Sequence, residues 1–172
     1  MHYRRVRIHG GQYFFTAVTH NRKPVLCEPN NVSLLRTSIK YVMDRHPFVI
    51  DAFVLLPDHL HCLWSLPDGD ADFSTRWRLI KSTFTRTWAA SAVAGQKPKI
   101  WQNRFWEHAI RDDRDWRQHV DYIHYNPVKH GLAPSPRQWP HSSIHRFIKN
   151  GLCESDWGSP TDMQFDAAVG SE

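Results

Sequence analysis

The stretch Phe53-Val-Leu-Leu-Pro-Asp-His-Leu-His-Cys-Leu-Trp-Ser-Leu66 contains two apolar runs separated by Pro57-Asp58. Because proline and aspartate favour turns, the stretch predicts two strands joined as a hairpin. Side chains alternate along a strand, so His59 and His61 point to one face of the second strand. The opposite, buried face is predicted to contain Leu60, Cys62, Trp64 and Leu66. Two imidazoles on one surface are either half of a metal site or a solvated or hydrogen-bonded surface pair.

Elements on both sides of this hairpin complete a sheet. Aromatic and β-branched residues predict a strand at 12–19, and a further strand is predicted at 101–111. Apolar residues recur at helical spacing over 32–43, after an Asn30-Asn31 cap, and over 73–88. The resulting order βαββαβ predicts an α+β fold of the ferredoxin-like or RNA-recognition type, an antiparallel sheet backed by two helices. The strand with the two histidines is then central.

A third helix follows the fourth strand. Asp112-Asp113 can cap it, and its core stripe is predicted to contain Trp116, Val120 and Ile123. Pro127 is expected to limit its extent.

This additional helix places polar groups together on one flank. Tyr122 and Asn126 are four residues apart, so they share a side that is offset from the core stripe. Tyr125 lies on a different side and is the weaker candidate nucleophile. The alternative is that Tyr122 only packs and that Asn126 only caps the helix before proline.

Composition predicts one soluble domain. The chain has 172 residues, of which 41% are hydrophobic and 13% aromatic, and this suits a single packed domain, expected over residues 1–152. The longest apolar run, 52–56, is too short to span a membrane. Three cysteines without paired spacing and no apparent export signal favour a cytoplasmic location.

Charge is distributed unevenly along the chain. Residues 1–149 contain all 22 Lys and Arg against 12 acidic residues, and residues 150–172 contain five acidic residues and no Lys or Arg. A basic body suits phosphate backbones, although many basic proteins are merely soluble. The acidic tail, residues 153–172, could fold over the basic surface and restrain activity, with disorder as the alternative.

Together the polar residues fit phosphodiester chemistry. Covalent cleavage needs a nucleophilic oxygen, a Lewis acid at the phosphate and cations for the rest of the strand. Tyr122, the two histidines and the basic body could supply these three. Two imidazoles and the Asn126 amide oxygen leave positions of an octahedral ion open, which favours Mg²⁺ or Mn²⁺ over a closed zinc site.

At this point the chain resembles a known family. His59-Leu-His61 is similar to the motif of the single-tyrosine HUH endonucleases, whose nucleophilic tyrosine follows on a helix. More narrowly, residues 3–157 resemble the REP-associated tyrosine transposases, and the domain would be of the HUH transposase type. The matching stretches, in order, are Tyr3-Arg-Arg5, Gly10-Gly-Gln-Tyr-Phe-Phe-Thr16, Leu56-Pro-Asp-His-Leu-His-Cys-Leu-Trp64, Phe73-Ser-Thr-Arg-Trp-Arg78, Arg104-Phe-Trp-Glu-His-Ala-Ile-Arg111, Asp121-Tyr-Ile-His-Tyr-Asn-Pro-Val-Lys-His-Gly131 and Trp139-Pro-His-Ser142.

The resemblance implies a metal-dependent single-strand DNA endonuclease and strand transferase. His59, His61 and Asn126 would hold Mg²⁺ or Mn²⁺, and Tyr122 would attack the phosphate to give a 5′-phosphotyrosine and a free 3′-hydroxyl. The implied substrates are REP hairpins flanked by a guide sequence such as GTAG. The residues expected by position to contact DNA are Arg4, Arg5, Arg7, Arg76, Arg78 and Lys81. The enzyme would be bacterial and cytoplasmic, associated with the nucleoid when bound to DNA, and monomeric, with a dimer as the alternative.

Two other functions remain open. One is a non-catalytic module that binds single-stranded nucleic acid, which leaves the histidines and Tyr122 unexplained. The other is a hydrolytic metallophosphodiesterase in which metal-bound water attacks. Glu107 and His108 belong to a matching stretch but have no role that the sequence defines. Adjacent residues in a strand face opposite ways, so at most one of them could face the site.

Overall fold

Four strands form one antiparallel sheet in the computed structural model, which describes residues 7–90, 99–158, 165 and 169. The strands are β1 Gln12–Val18, β2 Val49–Leu55, β3 His59–Ser65 and β4 Trp106–Ala109. Their order across the sheet is β2-β3-β1-β4, and every neighbouring pair is antiparallel. The predicted βαββαβ topology, with β3 in the interior, is confirmed.

Helices cover both faces of this sheet. They are α1 Pro29–Met43, α2 Phe73–Ala90, α3 Asp113–Lys129 and α4 Ile144–Lys149. Under α1 and α2, the buried side chains include Tyr13, Phe15, Leu60, Cys62, Trp64 and Trp77. Under α3 and α4, they include Phe14, Val54, Leu63, Val120, Ile123 and Phe147. The alternation predicted for β3 is confirmed, because Leu60, Cys62 and Trp64 all belong to the core under α1 and α2.

The start of α1 differs from the prediction. The helix begins at Pro29, not after an Asn30-Asn31 cap, because the fixed φ of proline and its missing N–H are tolerated in the first turn. Asn31 lies inside the helix and is buried. Its amide nitrogen donates to the carbonyl of Val25 at 2.7 Å, so it ties the preceding loop to the helix.

The strand predicted at 101–111 is shorter in the structure. Trp101 forms only an isolated bridge with Thr19, and the chain leaves the edge of β1 before β4 begins at Trp106. The intervening loop is held by Lys81, whose Nζ donates to the carbonyls of Gln102 at 3.1 Å and Arg104 at 3.4 Å.

The C-terminus of α3 also differs from the prediction. Asp112 caps the start as expected, since its side chain accepts from the Asp115 N–H, but Pro127 lies inside the helix. The helix ends at Lys129, with His130 as its C-cap, and Gly131 after it has a φ of +66°. The Leu132 N–H donates to the Pro127 carbonyl and the Gly131 N–H to that of Val128, which is a Schellman ending. The two extra helical residues matter because they include Lys129.

The segment that follows α3 closes the outer edge of β2. The Leu55 N–H donates to the His141 carbonyl at 2.9 Å, and the Ser143 N–H donates to the Phe53 carbonyl at 2.8 Å. Covered edges cannot pair with a strand of another chain. Among the described residues, no helix is long and apolar enough to cross a membrane.

One buried histidine connects this segment to α3 and gives a testable pH dependence. His124 is packed against Phe147, and its Nε2 lies 2.8 Å from Ser143 Oγ, which already accepts from the Phe53 N–H. Ser143 Oγ thus connects the Phe53 N–H of β2 with the His124 imidazole of α3. Burial, with the charges of Arg146 and His145, lowers the pKa of His124 to about 3.

We expect His124 to make the protein less stable in mild acid. The unfolded chain takes up a proton below about pH 6.5, and the folded chain does so only near pH 3. The free energy of unfolding should therefore fall as pH drops through this window, by up to about 1.4 kcal/mol per pH unit from this residue. Urea unfolding at pH 7 and pH 5 of the wild type and His124→Gln measures this. An equal slope in both proteins would contradict the assignment.

Candidate active site

His59 and His61 lie side by side on β3 and face α3. Their side chains are 2% and 0% exposed, and their ring centroids are 4.9 Å apart. In the sheet register His59 is opposite Val18 and His61 is opposite Thr16, both on β1. The predicted juxtaposition is present, and the alternative of a solvated surface pair is wrong because α3 covers both rings.

Each imidazole is oriented through its Nδ1 atom. Nδ1 of His59 lies 2.6 Å from Asp58 Oδ1, and Nδ1 of His61 lies 2.8 Å from Thr16 Oγ1. Burial would raise the pKa of Asp58, but hydrogen bonds from His59 and Arg22 outweigh it and lower that pKa. A carboxylate only accepts, so Asp58 favours the His59 tautomer with its proton on Nδ1, which leaves Nε2 as the ligating nitrogen as in many metal sites. Thr16 holds the ring of His61 in position through Nδ1.

Tyr122 is brought against this pair by α3. Its side chain is 1% exposed, and its ring centroid lies 5.3 Å from that of His61 and 6.0 Å from that of Phe14. Nζ of Lys129 donates a hydrogen bond to the Tyr122 hydroxyl at 3.0 Å. A cation at this distance stabilises negative charge on the phenolic oxygen.

Asn126 lies one turn from Tyr122 and is 0% exposed. Neither amide atom of Asn126 has a hydrogen-bond partner among the described residues. The residue one turn further on, His130, has its ring centroid 5.2 Å from that of His59. Asn126 is thus flanked on its helix by residues that contact His61 and His59. Because a buried amide without a partner is costly, this site is suited to a ligand that engages the amide oxygen.

This chain is similar to known proteins over most of its length. Residues 7–126 match the family described as Transposase IS200 like. A REP-associated tyrosine transposase of Escherichia coli (strain K12) is 50% identical over 162 residues, which are 94% of this chain and 93% of that protein. This chain belongs to the REP-associated tyrosine transposases. A Haemophilus influenzae protein is 40% identical over 175 residues, covering 97% of this chain and 98% of its own.

A solved structure also resembles this transposase. The structure, of a REP-associated tyrosine transposase bound to a REP hairpin, superposes with a TM-score of 0.84 at 45% identity and covers 99% of both chains. The agreement extends over the whole length of the chain, so the α+β fold and the membership of an enzyme family are established together.

Several residues around the transposase site were not predicted from the sequence. Asp58 and Thr16 orient the histidines, and Lys129 and His130 contact Tyr122 and His59. Spacing could have indicated two of them. Lys129 is seven residues, or about two turns, after Tyr122, and His130 is four after Asn126. The expected end of the helix at Pro127 concealed both relationships.

The two tyrosines of α3 lie in different surroundings. Tyr125 is half-buried, and its ring centroid lies 5.8 Å from that of Phe165 in the acidic tail. Phe165 also lies edge-on to Tyr122 at 5.5 Å. The tail therefore reaches the candidate nucleophile. Its regulatory role stays a prediction.

His108 belongs to a second polar cluster, with Asp115 and His119, whose candidate ligand atoms lie within 4.8 Å of one another. The three residues are also partners of one another, because Nε2 of His108 lies 2.8 Å from Asp115 Oδ2 and Nδ1 of His119 lies 3.2 Å from Asp115 Oδ1. The two imidazoles are stacked 4.6 Å apart at 17°, and Arg111 also donates to Asp115. Burial would raise the pKa of Asp115, but hydrogen bonds from Arg111 and His108 hold it well below its usual range. The cluster ties β4 to the first turn of α3.

Glu107 faces the other way. It pairs with Phe15 in the register between β1 and β4 and is buried on the side of α1 and α2. The prediction that at most one of Glu107 and His108 could face the site is consistent with this.

The basic residues expected to contact DNA differ in how exposed their side chains are. Arg4 and Arg5 lie outside the described residues. Arg7 and Arg78 are exposed, and Lys81 is half-buried against the loop before β4.

The expectation that Arg76 contacts DNA is wrong. Its side chain is 2% exposed and donates to both carboxylate oxygens of Asp70 and to the carbonyls of His46, Pro47 and Asp72. A guanidinium with these partners holds the loops at the N-terminus of α2 and is not available to phosphates.

We expect substitutions of Arg76 and Arg78 to differ in their effect on the free energy of unfolding. Arg76→Met leaves several acceptors without a donor and should lower the free energy of unfolding by about 2 to 4 kcal/mol. Arg78→Met changes an exposed side chain of the same helix, and its effect on stability should stay within about 0.5 kcal/mol. Urea unfolding of both variants measures the difference. Equal stability of the two would show that the buried network contributes little.

Proposed function

We propose that this transposase is a metal-dependent single-strand DNA endonuclease and strand transferase that acts on REP-type hairpins through a 5′-phosphotyrosine intermediate. The observation that carries the proposal is the packing of Tyr122 against His61, with Lys129 on the phenolic oxygen and the buried Asn126 amide between Tyr122 and His130. The hairpin substrate is supported by the 45% identical transposase whose solved structure contains a REP hairpin.

The ligand set suits a divalent ion with open coordination positions. His59 and His61 would hold the ion through Nε2 and Asn126 would hold it through its amide oxygen, a set of nitrogen and oxygen donors that suits Mg²⁺ or Mn²⁺. An Mg²⁺ or Mn²⁺ ion held there supplies Lewis-acid polarisation of the scissile phosphate. His59 and His61 also hold Asn126 in place. Their rings lie against His130 and Tyr122, which are one turn of α3 after and before Asn126.

The chain's own groups carry the transfer. The Tyr122 phenol gives up its proton to solvent as Oη forms a bond to phosphorus. The bond from phosphorus to the 3′ oxygen breaks, and that oxygen takes up a proton from solvent and leaves as a 3′-hydroxyl. Lys129 stabilises the charge on Oη during attack and again when Oη is the leaving group. A 3′-hydroxyl that attacks the phosphotyrosine reverses the exchange and joins strands.

A covalent assay tests the proposal. The protein is incubated with a labelled hairpin oligonucleotide carrying single-stranded flanks, with Mn²⁺ or with a chelator, and the products are separated under denaturing conditions. An adduct that needs Mn²⁺ supports it. Binding without cleavage would indicate a binding module, and cleavage without an adduct would indicate attack by water.

Tyr122→Phe should abolish the adduct. Removing the nucleophilic oxygen is expected to lower the rate of adduct formation by about 1,000-fold or more, as in other enzymes that lose a nucleophile. Tyr125→Phe is the matched control on the same helix and should keep the wild-type rate. An adduct that survives in Tyr122→Phe but not in Tyr125→Phe would move the nucleophile to Tyr125.

Lys129 should act on the rate of the covalent step. A charge-assisted hydrogen bond contributes about 1.5 to 3 kcal/mol, so Lys129→Met should slow adduct formation by about 10- to 100-fold. Lys129→Arg keeps the charge and should retain most of the rate. Single-turnover rates at saturating protein, with hairpin affinity measured separately, separate this effect from binding. Equal rates in the Met and Arg variants would exclude a role for the charge.

A further inference from the structure

A second concave surface lies on the opposite face of the sheet from the histidines. It is a cavity of about 810 Å³ between α2 and the segment 99–105, and we call it the α2 groove. Its volume lies within the range of about 300 to 1,000 Å³ typical of ligand sites. Neither the candidate catalytic residues nor the network around Arg76 line it.

The charged side chains that line the α2 groove are all positive among the described residues. Arg78, Lys81, Arg86 and Lys99 line it, and no carboxylate does so among the described residues. Arg78, Arg86 and Lys99 are exposed, and Lys81 is engaged with the carbonyls of Gln102 and Arg104. A concave surface with several cations and no acid attracts a phosphate backbone.

Aromatic rings form part of the same wall. Phe105 is half-buried and Trp101 is buried, and Nζ of Lys81 lies 5.6 Å and 5.9 Å from their ring centroids. The indole N–H of Trp101 is buried and has no acceptor among the described residues. Basic grooves with aromatic walls are typical of proteins that bind single strands, because unpaired bases stack on the rings while the cations follow the backbone.

The groove is connected to the candidate active site through β1. The His20 N–H donates to the Ile100 carbonyl, and the Gln102 N–H donates to the Val18 carbonyl at 3.0 Å. Val18 pairs with His59 in the sheet, and the Thr19 N–H donates to the Asp58 carbonyl. One wall of the groove is therefore fixed to the end of the sheet where the histidines lie, so a strand that passes this end can contact both faces.

We propose that the α2 groove binds unpaired nucleotides flanking the hairpin, with phosphates on Arg78, Arg86 and Lys99 and a base against Phe105. This inference rests on the proposed action on hairpin DNA and assigns its single-stranded part to a defined surface. It also predicts that discrimination between a flanked and a blunt hairpin resides in α2 and the segment 99–105, away from the catalytic residues.

Binding measurements with two hairpins test the groove. The affinities of a blunt hairpin and of one with single-stranded flanks are measured by fluorescence anisotropy across a salt series. The proteins are wild type, Arg78→Ala/Arg86→Ala and the matched control Arg36→Ala/Arg45→Ala, which removes two exposed arginines from the region of α1. The wild type should favour the flanked hairpin.

In Arg78→Ala/Arg86→Ala, the ratio of the affinities for the flanked and the blunt hairpin should fall by about 10-fold or more. The slope of log affinity against log salt for the flanked hairpin should become shallower by about 1.4, which corresponds to two phosphate contacts on a single strand. The affinity of this variant for the blunt hairpin should match that of the wild type, and the control variant should keep the preference. Equal losses on both hairpins, or no loss, would overturn the inference.

A stacking probe tests the base separately. A 2-aminopurine moved stepwise through the flanks should be quenched at one position in the wild type, and Phe105→Leu, which retains an apolar side chain for packing, should lose that quenching. Its affinity for the flanked hairpin should fall by about 5- to 50-fold. Unchanged quenching would contradict stacking.

Failure of the groove inference is distinguishable from failure of the proposed function. A wild type that forms the Mn²⁺-dependent adduct on a flanked hairpin, together with a groove variant that binds like wild type, removes only the groove. A wild type that neither binds the hairpin nor forms the adduct removes both.

Discussion

The burial of β3 on both faces is the constraint on which the rest of the structure depends. An interior strand with neighbours on each side must place every side chain in one of two cores, and β3 separates them by alternation. Leu60, Cys62 and Trp64 join the apolar core under α1 and α2. His59 and His61 are thereby directed toward α3, into a space that is otherwise lined by Phe14, Val120 and Ile123.

Placing imidazoles in that space creates a need for polar partners. Asp58, at the hairpin turn, and Thr16, on the neighbouring strand, satisfy one nitrogen of each ring. Tyr122 and Asn126 of α3 are the candidate site residues on the other side of this space. The helix must then be held firmly, since a displacement would expose or misplace all of these groups. The cluster of His108, Asp115 and His119 holds its first turn, and the Schellman ending at Gly131 fixes its last one.

Positive charge is used in three ways in this molecule. Arg76 is buried and holds loops, Lys129 acts on the phenolic oxygen of Tyr122, and Arg78, Arg86 and Lys99 line an open groove. A count of basic residues cannot separate these roles, because they depend on which side of a helix is covered. Arg76 and Arg78 are two positions apart on α2 and therefore lie on different sides of it.

Local periodicity determined most of the fold and the centre of the site. The alternation of β3, the spacing of Tyr122 and Asn126 and the cap at Asp112 are properties of short segments, and the structure contains all three. Only the tertiary structure decided the burial of Arg76, the continuation of α3 past Pro127 and the approach of Lys129 to Tyr122. These depend on contacts between segments far apart in the sequence, or on a helix ending that competes with a proline, and local propensity does not contain that information.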